Sequence, residues 1–450
     1  MTEQLRPAET ALHHASWGAA RAAAYEAAAA LPPHWLPLDE TVGETLAEDI
    51  VAERPVPHYT SSAMDGWAVN GPGPWRLELG ELEELDQRLA WARTEEPQLQ
   101  PVTALEQGAA APIVTGGLAP TGTTAVLRTE WGFLEGGQLH VAPEAPAGAP
   151  EVGQNLRRAG REAVTGDLLL RAGTRLTPGH IAFAAMTGQD MLPLQRRPRV
   201  TLLLTGDEVD ESGLPEPGRV RDVFGPQLPQ FIHMLGGQVD AVHRVGDDRE
   251  QMLERLSGHS TGPESVLDSR AHLIITTGGT GLSTADHLRP SLEATGAELI
   301  IDELDVRPGH PALLARLLDG GPFVLGLPGN PLAALTSLML MGAPLLAGLA
   351  GGAIPPLATV ALTRPHPGSA KDRLVPGIAF VAGAAVSGST ITDLVDGDAS
   401  LDAGLAKAVA LSHTGASQLR GFSQANVLLV IPRDGSQPGE PIAAMPLPWL

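Results

Sequence analysis

The stretch that indicates the fold is HLIITTGGTG, residues 272–281, in which a short apolar run leads directly into a glycine-rich turn. An apolar run of this length, bounded by a turn, is typical of a buried strand. Similar runs occur at VTLLL (200–204), QVDAVHRV (238–245) and PFVLGL (322–327), and helical stretches separate them. Strands that alternate with helices predict a doubly wound α/β domain built on a parallel sheet.

The segments on either side of this domain have a different pattern. With 450 residues, the chain is long enough for about three domains. Residues 8–31 are rich in alanine and predict a helix, and short β-like runs predict a small β-rich domain over 56–144. The α/β pattern covers 198–351, and glycine-rich β segments after it predict a small, barrel-like C-terminal β domain over 352–450. The expected fold class is therefore multi-domain, α/β plus β.

Composition excludes several classes of function. The net charge of −22, without a segment rich in lysine and arginine, argues against a nucleic-acid partner. The absence of cysteine excludes disulfides, thiolate metal sites and cysteine nucleophiles. The first residues lack the basic and apolar regions of a signal peptide.

The uncharged stretch 332–362 is interrupted by prolines and favours a buried helix over a membrane span. We therefore expect a cytoplasmic protein without a membrane partner.

Small or polar residues follow each of the four predicted strands of the α/β domain, where open α/β sheets bind their ligands, and two of the four segments contain acids. These residues are Thr205-Gly206-Asp207-Glu208, Gly246-Asp247-Asp248, Gly278-Gly279-Thr280-Gly281 and Pro328-Gly329-Asn330. Glycine lets backbone N–H groups approach anionic oxygens, and carboxylates beside phosphates require a divalent cation such as Mg²⁺. Glycine and aspartate are also ordinary turn residues, but four such loops together favour a crevice for phosphate and Mg²⁺.

Asp286 is the single acid that closes the glycine-rich stretch TTGGTGLSTAD. Pro290 suits the first position of the next helix, so Asp286 is expected to stay in the loop. A loop carboxylate beside backbone amides is well placed to bind a metal ion bridged to phosphates. The stretch lacks the third glycine of the dinucleotide-binding pattern, and no P-loop motif occurs in the chain.

Five motifs occur in the order seen in the molybdopterin molybdenumtransferases: SSAMDGWAV (61–69), GQNLRR (153–158), TGDE (205–208), RPGHP (307–311) and GLPGNP (326–331). From about Leu36 onward the chain resembles this family and is similar to the C-terminal domain of gephyrin. The loop TTGGTGLS is closer to the sister family of molybdopterin adenylyltransferases, which share only the α/β domain. Because this chain also has the flanking domains, the molybdenumtransferase family is the better match.

The resemblance implies a reaction and an architecture. Molybdate would be inserted into adenylylated molybdopterin with release of AMP, in the presence of Mg²⁺. The family forms an elongated homodimer with the active crevice between subunits, and its N-terminal domain would comprise residues 1–55 and 145–197. The adenylyltransferase of the same pathway is a further expected partner.

The loops and the resemblance together assign the site residues. Catalytic roles fall to Asp65, Thr115, Glu208 and Asp286, with Asp65 and Thr115 supplied by the partner subunit. Metal binding falls to Asp286 with Asp247 or Asp248. Binding of molybdopterin, its nucleotide and molybdate falls to Gly278, Gly279, Thr280, Gly281, Ser283, Pro328, Gly329, Asn330, Arg307, His310, Pro311, Arg373 and Ser417.

The chain departs from the family pattern at several of these positions. Arg307 and His310 replace two lysines, and a neutral imidazole supplies less positive charge to a molybdate pocket. Arg161 stands in a Gly-Arg-Glu sequence where Gly-Glu-Asp is usual, and Leu332-Ala333 replaces Val-Ser. We expect Arg307 and Arg373 to supply the charge and His310 to add a hydrogen bond to the anion. Two alternatives remain: a carrier or scaffold that binds molybdopterin without turnover, and an adenylyltransferase.

Overall fold

The computed structural model describes residues 7–78, 104–257, 271–281, 286–318, 320–380 and 406–449. The chain divides into two compact units. The large unit comprises Met1–Pro33 and Gln195–Leu450, and the small unit comprises His34–Leu194.

The chain begins with strand β1 (Pro7–Ala15), followed by helix α1 (Trp17–Glu26). β1 pairs in parallel with the strand Glu298–Leu304 of the large unit. The expected helix over 8–31 is therefore wrong for its first half, and residues 1–33 belong with the α/β domain, not with the N-terminal domain over 1–55. Tertiary pairing overrides local propensity here, and the Ser16 side chain caps the helix by accepting a hydrogen bond from the Ala19 N–H.

The small unit is rich in short strands and contains one longer helix among its described residues, α2 (Pro178–Met186). Its six-stranded sheet has the order β8-β5-β7-β6-β10-β9. The strands of this unit are β2 (His34–Pro37), β3 (Ile50–Val51), β4 (Ser61–Ser62), β5 (Gly66–Val69), β6 (Trp75–Leu77), β7 (Ala109–Ile113), β8 (Ala125–Arg128), β9 (Gly132–Glu135), β10 (Gln138–Val141), β11 (Leu156–Arg157), β12 (Leu168–Leu170) and β13 (Met191–Leu194).

A seven-stranded sheet forms the centre of the large unit, in the order β1-β19-β21-β22-β18-β14-β17. β22, β18, β14 and β17 are parallel neighbours, which confirms the predicted doubly wound domain. β21 runs antiparallel to both of its neighbours, so the whole sheet is mixed. The strands of this region are β14 (Arg199–Thr205), β15 (Val209–Asp210), β16 (Val220–Arg221), β17 (Gln238–Val245), β18 (Leu273–Thr277), β19 (Glu298–Leu304), β20 (Val306–Arg307), β21 (Leu313–Arg316) and β22 (Phe323–Leu327).

Helices cover this sheet, and one of them is strongly apolar. The helices are α3 (Leu228–Met234), α4 (Arg249–Ser257), α5 (Leu288–Ala294), α6 (Pro331–Ser337) and α7 (Ala343–Leu349). A π-helical turn joins α6 to α7, and the combined helix Pro331–Leu349 is long and apolar enough to cross a membrane. Because 94% of its most apolar window is buried inside the protein, it is a core helix, as the sequence predicted. α5 begins at Leu288, so Pro290 is its third residue instead of its first, and Asp286 stays outside the helix.

The C-terminal region is a small β-barrel, as predicted. Pairing of β25 with β27 closes the order β25-β26-β23-β29-β27 into a ring of five strands. β20, from the α/β region, adds to this barrel by pairing in parallel with β25. The strands here are β23 (Ala358–Leu362), β24 (His366–Pro367), β25 (Asp372–Phe380), β26 (Ala406–Ala410), β27 (Val427–Ile431), β28 (Gly435–Ser436) and β29 (Pro441–Pro446).

Candidate functional site

Four strand ends lie side by side at one edge of the large sheet. β22, β18, β14 and β17 are consecutive parallel neighbours, so their carboxyl ends meet at this edge. Two hydrogen bonds join the loops that follow them. The Thr205 hydroxyl donates to the Thr277 carbonyl, and the Gly278 N–H donates to the Leu327 carbonyl over 2.8 Å. These bonds link three of the four strand ends, and all four predicted loops lie at the same edge of the sheet.

Gly278 is the point at which three of these loops come closest. Its φ is +83°, and an added Cβ would lie 2.7 Å from Thr205 Oγ1 and 4.0 Å from Gly329 Cα. A side chain at this position would both strain the backbone and collide with a neighbouring loop. Gly279 follows with a φ of +67°. The glycine-rich turn thus exposes main chain instead of side chains beside the Pro328-Gly329-Asn330 loop, which suits an anionic ligand.

The Asp286 carboxylate returns to the glycine-rich turn. An ideal Cβ built on Gly281 would lie 2.8 Å from Asp286 Oδ2, so carboxylate and turn are in contact. Arg289 holds the turn from the other side, because its Nε donates to the Thr280 carbonyl over 3.2 Å. Ser283, the remaining candidate of this loop, lies outside the described residues. The structure therefore brings Asp286 to the loop that the sequence proposed as the phosphate cradle.

Two further carboxylates lie together at the ends of β14 and β17. The Asp207 N–H donates to the Asp247 carboxylate and the Asp247 N–H donates to the Asp207 carboxylate, each over 3.4 Å. Both residues are exposed. Glu208 folds back over Gly206, whose added Cβ would lie 2.8 Å from Glu208 Oε2. Asp207 is not among the site residues predicted from the sequence, although its position directly after a buried strand is a usable signal.

Asp248 caps the N-terminus of α4. The sequence alone did not distinguish this role from metal binding. Its Oδ1 accepts hydrogen bonds from the Glu250 N–H over 2.7 Å and the Gln251 N–H over 3.2 Å, at the start of α4. This geometry is that of a helix N-cap. Of the two acids proposed for this loop, Asp247 is therefore the better candidate for a metal ligand.

A buried carboxylate supports the loop between β14 and α3. Asp222 is 6% exposed and accepts hydrogen bonds from the Phe224 N–H over 2.8 Å, the Gly225 N–H over 3.0 Å and the Arg244 guanidinium. Burial by itself raises the pKa of Asp222, but these hydrogen bonds together hold its pKa below the usual value. Because Arg244 lies on β17, just before Gly246, the ionised Asp222 ties this loop to the neighbouring strand.

Asn330 and Ser417 lie at the start of α6. Asn330 precedes this helix, and its side chain makes no capping hydrogen bond within the described part of the chain, which leaves it able to contact a ligand. The Ala416 carbonyl accepts hydrogen bonds from the N–H groups of Leu332, over 2.8 Å, and Ala333, over 3.2 Å. This contact holds the neighbouring Ser417 beside the Asn330 loop. The substituted pair Leu332-Ala333 therefore makes this contact through its backbone N–H groups, not through its side chains.

Arg307 and Arg373 are direct neighbours across the β20–β25 pairing. Neither guanidinium forms an ion pair with an acid that the structure describes. The loop from Arg307 to Pro311 lies against α6, since the hydroxyls of Thr336 and Ser337 are each 3.4 Å from a carbonyl of this loop. Both hydroxyls are closer to the Ala333 carbonyl of their own helix, at 2.9 and 2.8 Å. Two adjacent, uncompensated arginines are a suitable pocket for an oxyanion.

His310 has partners for both of its ring nitrogens, which corrects the expectation that it donates to a bound anion. Nδ1 lies 2.6 Å from the Leu304 carbonyl, and Nε2 lies 3.4 Å from Glu303 Oε2. Lys371 Nζ lies 2.9 Å from His310 Nδ1 and 3.6 Å from Asp305. Lys371 therefore restores an ammonium group near the position where the family pattern has lysine. Sequence analysis missed this role, although Lys371 is one of only two lysines in the chain.

Asp65 and Thr115 lie together within the small unit. Asp65 Oδ1 accepts hydrogen bonds from the Thr115 N–H over 2.7 Å and from the Thr115 hydroxyl over 2.8 Å. Both residues are in loops of the β5–β7 region. The resemblance implied that both residues line the crevice of the partner subunit, and the structure brings the two side chains into contact with each other.

Two family models match consecutive parts of the chain. Residues 15–188 match the MoeA N-terminal region (domain I and II). Residues 201–348 match a probable molybdopterin binding domain. The second match covers the four strand ends and their loops.

Curated relatives agree with these matches. The chain is 31% identical over 300 residues to a molybdopterin molybdenumtransferase of Synechococcus elongatus, covering 66% of this chain and 71% of the relative. It is 30% identical over 318 residues to molybdopterin molybdenumtransferase 2 of Mycobacterium tuberculosis, covering 68% and 72%.

Solved structures share the fold. A crystal structure of a molybdopterin biosynthesis moeA protein from Pyrococcus horikoshii superimposes with a TM-score of 0.61 at 20% identity, covering 96% of this chain and 99% of that chain. A second structure of such a protein gives a TM-score of 0.69 at 22% identity, covering 96% and 98%.

We predict that Gly278→Ala destabilises the large unit more than Gly236→Ala does. Both glycines have a φ near +85°, but an added Cβ at Gly236 meets nothing within 4 Å. Backbone strain should cost each variant about 1–2 kcal/mol, and the contact with Thr205 should add about 1–3 kcal/mol at Gly278 only. Urea unfolding of the two variants measures the difference. Equal losses would mean that the close approach of the loops does not require glycine.

Proposed function

The chain belongs to the molybdopterin molybdenumtransferase family, and we propose that it inserts molybdate into adenylylated molybdopterin with release of AMP. The observation that carries this proposal is the crevice at the four strand ends. We take three groups of residues to form it: the glycine-rich turn, the exposed carboxylates and the two arginines of the β20–β25 pair, which form no ion pair within the described part of the chain. A phosphate-bearing substrate, a divalent cation and an oxyanion need these three kinds of group.

The phosphoanhydride of the substrate would lie against the glycine-rich turn. Backbone amides at Gly278 and Gly279 would bind phosphate oxygens, and the Asn330 side chain would orient the same substrate from the neighbouring loop. The protein contributes mainly by positioning and electrostatics, since the dithiolene sulfurs belong to the substrate. Because the substrate supplies the sulfur ligands, the chain needs no cysteine, and it contains none.

Mg²⁺ fits the donor groups of the crevice. Asp207 and Asp247 lie together, and Asp286 contacts the glycine-rich turn, so the available donors are carboxylate oxygens. Mg²⁺ prefers one or two carboxylates together with substrate phosphates and water. When bound, the ion would neutralise the phosphates during cleavage. The role of these acids is to hold that charge beside the phosphoanhydride, with Asp286 closest to the turn.

Molybdate would bind at Arg307 and Arg373. Each guanidinium is a planar fork that can donate two hydrogen bonds to one oxyanion. Lys371 adds a third positive group next to His310, so the replacement of lysine at position 310 does not remove the positive charge from this region. Ser417, held near the start of α6 by the Ala416 contact, would contact the same substrate complex.

The two alternative functions are not favoured. An adenylyltransferase needs only the α/β domain, but the match to the MoeA N-terminal region covers residues 15–188 as well. The altered anion pocket was the reason to consider a carrier without turnover. Lys371 weakens this reason, because it keeps a positive charge beside His310. The curated relatives reported above are named as transferases.

The proposal includes a homodimer, in which Asp65 and Thr115 act in the crevice of the partner subunit. It also includes a cytoplasmic location and delivery of substrate by the adenylyltransferase of the same pathway. Light scattering at micromolar concentration should give twice the chain mass of 46.8 kDa. A monomer with full activity would contradict the shared crevice.

Asp286→Asn and Asp247→Asn should each reduce Mg²⁺-dependent AMP release, because each removes a charge that offsets the bound cation. AMP release from adenylylated molybdopterin is measured with molybdate over a range of Mg²⁺ concentrations. Asp248→Asn is the matched control, since asparagine is as good an N-cap as aspartate, and it should keep the wild-type Mg²⁺ dependence. Unchanged Mg²⁺-dependent AMP release by Asp286→Asn would remove Asp286 from the metal site, and no AMP release by the wild type would contradict the proposed reaction.

Arg373→Gln should weaken molybdate binding by roughly ten- to a hundredfold. A hydrogen bond from a charged donor to an anion contributes about 1.5–3 kcal/mol, and each 1.4 kcal/mol is about tenfold in affinity. Calorimetric titration with molybdate measures the change. The exposed Arg171 of the small unit provides a control with the same loss of charge, and Arg171→Gln should bind molybdate like the wild type. Equal weakening in both variants would indicate a general charge effect.

A further inference from the structure

Three side chains bring their ligand atoms together: His14 on β1, Glu303 on β19 and His310, in the loop that follows Arg307. His14 Nδ1 lies 3.1 Å from Glu303 Oε2, and His310 Nε2 lies 3.4 Å from the same oxygen. All three ligand atoms lie within 4.8 Å of one another. The two imidazole rings are stacked, with centroids 5.7 Å apart. This is the only group of three such residues that the described part of the chain assembles within metal-binding reach.

The distances match a tetrahedral metal site. Zn²⁺ binds histidine nitrogen and carboxylate oxygen at about 2.0–2.2 Å, which places neighbouring ligand atoms about 3.3 Å apart. The two shorter separations, 3.1 and 3.4 Å, lie on either side of that value. Two histidines and one glutamate are also a ligand set that zinc uses when its fourth position is open. A small adjustment of the exposed His14 side chain would complete the geometry.

His310 has the supporting contact that metal-binding histidines usually have. Such a histidine donates its other ring N–H to a carbonyl or carboxylate, which fixes the tautomer and the ring orientation. His310 Nδ1 lies 2.6 Å from the Leu304 carbonyl, so the tautomer with hydrogen on Nδ1 presents an unprotonated Nε2 to Glu303. In this tautomer Nδ1 cannot accept a hydrogen bond from Lys371 Nζ, 2.9 Å away, so the ammonium directs its protons to Asp305, at 3.6 Å.

The backbone places two of the three residues in an unusual conformation. His14 has a φ of +50° and Glu303 a φ of +63°, both in the left-handed region that L residues seldom adopt. They face each other where β1 pairs with β19, between the partners His13↔Asp302 and Ala15↔Leu304. Residues held in this region cluster at ligand-binding sites.

We propose that His14, Glu303 and His310 bind one first-row divalent cation, with Zn²⁺ the best match. Its fourth position would be open to water or an anion. The site is distinct from the carboxylates of the crevice, whose all-oxygen donors suit Mg²⁺. It also goes beyond the proposed reaction, because His310 stands where the family pattern has lysine, and lysine could not complete this ligand set.

The test is Zn²⁺ binding by the metal-free full-length protein, measured by titration against a chromophoric chelator without molybdopterin or molybdate. The wild type should bind one Zn²⁺ tightly, and His14→Gln should weaken this binding at least a hundredfold. His13→Gln is the matched control. His13 has nearly the same exposure and also contacts an acid, Asp302, over 3.1 Å, but it is not in the cluster. It should bind Zn²⁺ like the wild type.

A second measurement reports the ligand set directly. The Co²⁺-loaded wild type should show the visible absorption of a four-coordinate ion, and Glu303→Gln should lose it while circular dichroism stays unchanged. The proposal is overturned if the wild type binds no Zn²⁺ more tightly than micromolar, or if His13→Gln and His14→Gln weaken binding equally. Neither result depends on AMP release, so the metal site and the proposed function can fail separately.

Discussion

The candidate crevice depends on the close approach of main chain at Gly278. Thr205, Gly278 and Gly329 come from three neighbouring parallel strands, and the contact between them leaves no room for a Cβ on Gly278. Because the turn carries no side chains at this point, its amides can approach a phosphate, and Asp286 can reach back to the turn. The position of the carboxylates relative to the phosphate cradle thus follows from a packing constraint.

Two pairings connect the α/β domain with the barrel and place the anion-binding groups. β20 leaves the sheet region and pairs with β25, which sets Arg307 opposite Arg373. The Ala416 carbonyl accepts hydrogen bonds from the first amides of α6, which brings Ser417 to the loop of Asn330. The groups that we propose to bind the oxyanion therefore come from segments far apart in the sequence, with Arg307 from the α/β region and Arg373 and Lys371 from the barrel.

At position 310 a histidine replaces the lysine of the family pattern, but the region keeps an ammonium group from Lys371. In the family pattern a lysine occupies this position, whereas here the ammonium comes from Lys371, 2.9 Å from the imidazole. The imidazole is then able to face Glu303 and His14. An acidic chain with very few lysines retains one of them at this site, and the neighbouring histidines and glutamate form the group that we assign to a second metal.

The sequence by itself determined the architecture, because apolar runs of strand length, alternating with helices and ending in glycine and acid, have few other solutions. It located the four loops at the strand ends for the same reason, whereas residues such as Arg307 and Arg373 were predicted from the resemblance to a family. It did not determine that residues 7–15 form a strand, since pairing with β19 overrides the helical propensity of the region. Nor could it separate Asp247 from Asp248, or find Lys371 and the His14–Glu303–His310 cluster. Those assignments depend on which side chains hydrogen-bond locally and which distant strands meet, and only the tertiary structure decided them.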